Sequence, residues 1–117
     1  MLKIKRVYEE AESSDGTRFL VERLWPRGMK KEALQMEAWL KDVAPSNDLR
    51  RWFGHDPLKW EEFQKRYWTE LKGNPDAWAP ILQAAEAGDV TLLYSAHDTE
   101  HNNALALKRF LEKSHRT

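Results

Sequence analysis

Residues 18–28 read RFLVERLWPRG, and their pattern decides the fold class. Phe19 and Val21 alternate with Leu20 and Leu24, so a strand over 18–24 would be apolar on both faces. That is the mark of a central strand in a sheet covered by helices. Glu22 and Arg23 interrupt it. Neighbours on a strand point to opposite faces, so these two charges cannot neutralise each other. Each needs another partner, because an unpaired buried charge costs several kcal/mol. Trp25-Pro26-Arg27-Gly28 then carries the chain out of the strand.

Working outward, LKIKRVYE at 2–9 reads as a first strand, and EAESSDGT after it as a polar loop with an Asp15-Gly16 turn. Met36, Trp39, Leu40 and Val43 recur at helical spacing, which predicts a helix stopping before Pro45. Ser46 can cap a short helix through Leu49, Trp52 and Phe53 that ends at Gly54. Asp56-Pro57 and Asn74-Pro75 each open a further helix. Trp60, Phe63, Tyr67 and Leu71 line the first, and Trp78, Ile81, Leu82 and Ala85 line the second as far as Gly88. VTLLYSA at 90–96 is a third strand, and a last helix is expected over 99–113 with Ala104, Leu107 and Leu111 inward.

The expectation is a single α/β domain over residues 1–117, with a small, mainly parallel sheet of about three strands flanked by helices. The helical crossover from strand two to strand three is long enough to make them parallel. The first link is short, so a hairpin of strands one and two is equally open.

Composition narrows the function classes. Nineteen Lys+Arg balance nineteen Asp+Glu, which disfavours non-specific nucleic-acid binding, since that requires a basic stripe. No apolar run reaches the length of a membrane span, and the N-terminus lacks the apolar core of a signal peptide. With no cysteine there is no disulfide, thiolate nucleophile or Cys-based zinc site, and a cytoplasmic location is expected.

Six tryptophans raise the question of base stacking. Trp39, Trp60 and Trp78 lie on apolar stripes and Trp52 beside Phe53, so core packing accounts for them. Trp25, at the end of strand two, can wall a pocket. In YSAHDTEHNN at 94–103, His97 and His101 are four apart. His97 belongs to the strand end, which breaks the helical geometry of a zinc pair, and no metal or other cofactor is expected. Asp98 or Thr99 should cap the last helix and set His101 in its first turn. An Asp98 cap with a hydrogen-bonded core histidine is the structural alternative.

Ligands of parallel α/β sheets bind beyond the carboxyl ends of the strands. There Arg23, Trp25, Arg27, Asp98, His101 and Asn102 should converge, two guanidiniums beside a helix N-terminus making an anion pocket. An internal Arg23–Asp98 ion pair is the structural alternative. In GHDP at 54–57, Asp56 is a helix cap and His55 a loop residue that can join the site.

Taken in order, VERLWPRG, WLKDVAPS, LRRWFGHDP, FQKRYWTEL and LLYSAHDTEHNNA resemble the blocks of the YeaO-like family of bacterial proteins, domain of unknown function family 488. The resemblance spans nearly the whole chain. It implies a small α/β domain with parallel strands and no established activity. Some members are labelled transcriptional regulators, but no DNA-reading helix is recognisable here. The family pattern matches Arg23, Trp25, Pro26, Arg27, Gly28, His55, Asp56, Asp98, His101 and Asn102. It departs at Glu22, where Asp is familiar, and at His97, where Lys is usual.

Two functions of different class follow. One is an enzyme on a small phosphorylated or nucleotide-like substrate. In it Arg23 and Arg27 clamp the anion, Trp25 and Asn102 line the pocket, and His101, Asp98 and His55 move protons for hydrolysis by activated water. The other is a non-catalytic ligand- or nucleic-acid-binding module using the same pocket.

Overall fold

A computed structural model describes residues 1–114. Four parallel strands form one sheet: β1 (Leu2–Arg6), β2 (Thr17–Leu20), β3 (Ala38–Trp39) and β4 (Val90–Tyr94), in the order β1-β4-β2-β3. β4 is central, with Val90 opposite Leu2 of β1 and Thr17 of β2. All five of its residues are buried, as an apolar run covered on both faces requires. Strands two and three of the sequence reading are thus parallel neighbours. The hairpin left open for the first pair does not form, because β4 lies between them.

The link from β1 to β2 has to return the chain to the starting edge. It does so around Asp15, whose carboxylate accepts from Lys5 Nζ (3.0 Å), the Glu12 N–H (3.1 Å) and Arg18 Nη1 (2.5 Å). Burial pushes the Asp15 carboxyl up, but these donors outweigh it and hold it below the usual range. Gly16 follows at φ 66°, and a Cβ there would stand 2.1 Å from the Asp89 carbonyl oxygen, so only glycine fits.

Four helices follow the sequence signals: α1 (Asn47–Phe53), α2 (Trp60–Lys72), α3 (Pro75–Ala87) and α4 (Asn103–Ser114). Ser46 Oγ accepts from the Leu49 N–H to cap α1, and Asp56 Oδ1 from the Leu58 N–H in the turn leading into α2. Residues of all four helices share the larger core cluster with Phe19, Val21, Val90 and Leu92. The opposite sheet face carries Leu20 and Leu93, and irregular chain covers it through Trp25, Met29, Leu34 and Met36, together with Trp39 of β3.

The helix predicted over 36–43 is not there. Ala38 and Leu40 pack on the helical side of the sheet and Trp39 on the other, the alternation of a strand. Backbone bonds from Glu37 N to Arg18 O and from Leu40 N to Leu20 O tie the segment to β2. The Val43 and Ala44 carbonyls accept from the Tyr67 hydroxyl and Arg23 Nη2. The last helix also starts later than predicted. Asn102 is its cap, its Oδ1 accepting from the Leu105 N–H at 2.8 Å, so His101 precedes the helix.

Candidate active site at the carboxyl edge

β2 ends at Leu20, and Glu22 lies just beyond it, outside the strand. Its Oε2 accepts both the Ser95 N–H (2.8 Å) and the Ser95 hydroxyl (3.1 Å) from the end of β4. Burial is the largest influence and pushes the Glu22 carboxyl above its usual range, although Ser95, Arg50 and His55 pull the other way. Arg23 turns elsewhere, donating to the Ala44 (2.9 Å) and Pro45 (3.4 Å) carbonyls, with Asp42 at 4.0 Å. The Arg23–Asp98 pair weighed from the sequence is therefore absent. Adjacent charges have found separate partners, although β2 ends before them and its alternation does not set their directions.

Glu22 lines a cavity of about 160 Å³ with Arg50, Arg51, His55, Asn102 and Asn103, walled by Pro45, Phe53 and Phe63. A wider cleft of about 890 Å³ adjoins it, lined by Arg6, Tyr8, Arg27, His97 and Asp98. His55 and Ala96 belong to both. His55 lies at φ 58°, directly after Gly54 at φ 53°. Two successive left-handed residues thus turn the end of α1 into the wall between the cavities.

The expected site residues fall into three groups. His55 and Asn102 line the inner cavity, and Arg27, Asp98 and again His55 line the outer cleft. Arg23 and Trp25 line neither. The Trp25 indole donates to the Met29 carbonyl (2.5 Å) and meets Trp39 edge-on, with centroids 5.3 Å apart. His101 also stands outside both cavities, with Nδ1 2.8 Å from Asp98 Oδ2 and its ring edge-on to Trp60. Asp98 Oδ1 accepts the Glu100 and His101 N–H groups. Those bonds, the Glu100 N–H first, hold its carboxyl below the usual range. Asp98 thus organises the turn before α4 instead of capping the helix.

Arg6, Arg50, Arg51 and Asn103 also line these cavities, and sequence reasoning did not single them out. The pattern of the short helix rests on Leu49, Trp52 and Phe53 and gives Arg50 and Arg51 no role. Arg6 ends β1, and its Nε donates to the Ala96 carbonyl at 2.8 Å. The one sequence signal for it is its place at a strand's carboxyl end. Among the described residues, no three His, Asp or Glu side chains gather as a metal ion would require. No helix among them is long and apolar enough to cross a membrane.

An all-parallel α/β sheet with a polar cavity at its carboxyl edge defines the class. The chain belongs to the YeaO-like family: residues 1–117 match the model described as the inactive DUF488-N3 subclade. It is similar to the uncharacterized protein YeaO of Escherichia coli K12, at 41% identity over 94% of this chain and 96% of that protein. It is also similar to the uncharacterized protein Rv3073c of Mycobacterium tuberculosis H37Rv, at 36% identity over 94% of this chain and 92% of that one. No solved structure matches it.

Proposed function

We propose that the protein is a non-catalytic binding module for a small anionic, nucleotide-like ligand, held at the carboxyl edge of the sheet. One observation carries this reading. Arg50 and His55 line the inner cavity, whereas His101, expected to move protons, stands outside both cavities with its ring edge-on to Trp60 and Nδ1 against Asp98. A guanidinium suits a phosphate or carboxylate, and a histidine outside the cavity moves no proton on a ligand held there. The description of the matching family as an inactive subclade supports the same reading. A cytoplasmic location goes with it, on the absence of cysteine from all 117 residues.

A specific observation favours a second reading, that of a hydrolase. Glu22 has its carboxyl pushed up by burial in a cavity it shares with His55, an arrangement suited to a general base.

The test is calorimetric titration and thermal shift with inorganic phosphate and nucleoside monophosphates, with the same mixtures followed for product by phosphorus NMR. Binding that raises the melting temperature, and that weakens at least about tenfold in an Arg50→Ala/Arg51→Ala variant without turnover, is the expected result. Product formation that disappears in Glu22→Gln would replace the module by the hydrolase.

A further inference from the structure

The inner cavity is too small to hold a whole ligand of ordinary size. Its volume of about 160 Å³ falls below the roughly 300 Å³ at which small-molecule pockets begin, whereas the outer cleft, at about 890 Å³, lies within their range. His55 and Ala96 line both, so a ligand seated at Arg50 continues past them into the outer cleft.

The titratable side chains of that cleft are Arg6, Tyr8, Arg27, His55, His97 and Asp98. Tyr8 links the two arginines. Its ring centre lies 5.0 Å from the Arg6 guanidinium carbon, and its hydroxyl donates to the Arg27 carbonyl at 2.8 Å. Arg6 is fixed from the other side, donating through Nε to the Ala96 carbonyl at 2.8 Å and through Nη2 to the Ser95 carbonyl at 3.4 Å. His97 Nδ1 stands 3.5 Å from the same Nη2. Arg27 is exposed, and its side chain makes no hydrogen bond or ion pair with another described residue. Asp98 carries the opposing charge, but the Glu100 and His101 N–H groups and His101 Nδ1 already meet its carboxylate. Glu9 accepts from the Arg6 N–H and lines a different hollow. One cleft thus holds a guanidinium fixed by backbone carbonyls and a second with its donors open, the provision that a phosphate group requires.

We infer that the ligand carries two phosphate-like groups, one at Arg50 in the inner cavity and the other on Arg6 and Arg27 in the outer cleft, with Tyr8 as the positioning residue of the second seat. This inference rests on the anion-binding reading above and deepens it. A ligand with a single phosphate fills one seat. A bisphosphorylated ligand fills both, and its second contact forms within one molecule at a high effective concentration. The joining part passes His55, whose left-handed backbone sets the wall between the seats.

NMR titration of the full chain with methylphosphonate and with straight-chain bisphosphonates, from methylene- to hexanebisphosphonate, tests this. The best-fitting spacer should bind roughly a hundredfold more tightly than methylphosphonate. Arg27→Ala should bring that bisphosphonate down to the affinity of methylphosphonate and leave methylphosphonate itself unchanged, whereas Arg50→Ala should weaken both. Tyr8→Phe keeps the ring beside Arg6 but loses the bond to the Arg27 carbonyl. It should weaken the bisphosphonate several-fold and methylphosphonate not at all, a split that a merely structural Tyr8 would not produce. If no bisphosphonate exceeds methylphosphonate, or if the advantage survives Arg27→Ala, the two-ended ligand is overturned, and methylphosphonate binding that still needs Arg50 leaves the anion-binding module standing. Methylphosphonate binding that needs Arg27 but not Arg50 would overturn the two-ended ligand and the inner seat together. No binding of any of these compounds would remove both readings.

Discussion

Glu22 and Arg23 are adjacent residues solved by different means: one takes donors from the end of β4, the other spends its donors on carbonyls at Ala44 and Pro45. The need for partners was legible in the sequence. Their identity was not, because backbone N–H and C=O groups leave no trace in residue type. Folding raises the affinity of the Glu22 carboxyl for its proton. Its stabilising contribution is therefore whole below the unfolded-chain pKa and is lost as pH rises through the folded value. Glu22→Gln should accordingly gain melting temperature relative to the parent as pH rises above about 4, the ordinary range of a glutamate carboxyl, read by thermal unfolding at rising pH. Asp15 behaves in the opposite sense. Its side chain is 6% exposed and faces Arg18 at 8%, so Asp15→Ala strands a buried guanidinium. A loss of about 3 kcal/mol in denaturant unfolding is expected.

At the scale of elements, caps and proline starts were readable because each has a local mechanism. Ser46, Gly54, Asp56 and Pro75 stand where the sequence put them. The segment 36–43 was not readable, since four apolar residues at helical spacing fit equally well when divided between two faces of a sheet. Only the tertiary bonds to β2 decide it. Asn102 was taken for a pocket residue, and its cap role was hidden by the polar run Asp98–Asn103, in which several residues could serve. Asn102→Ala should cost about 1 kcal/mol, with Asn102→Asp retaining most of it, as measured by chemical unfolding. α3 contains Pro80 in its interior, where its ring removes one helical N–H donor. The side chain is exposed, so Pro80→Ala should stabilise the protein by about 1–3 kcal/mol in the same measurement.

For the whole molecule, the parallel pairing of β2 with β4 followed from the order of strands and helices. The position of β1 did not, because a short link says nothing about which strand intervenes. β1 is an edge strand paired only with β4, and it covers Val90 and Leu92 with Leu2 and Ile4. Deleting residues 1–7 should therefore leave a chain without cooperative unfolding, seen as loss of dispersed amide signals in NMR. The left-handed backbone at His55 has a different kind of consequence. A side chain in that conformation costs about 1–2 kcal/mol that glycine would not. A library screened for heat resistance alone should therefore enrich His55→Gly. The survivors would outlast the parent on heating while losing the wall between its two cavities.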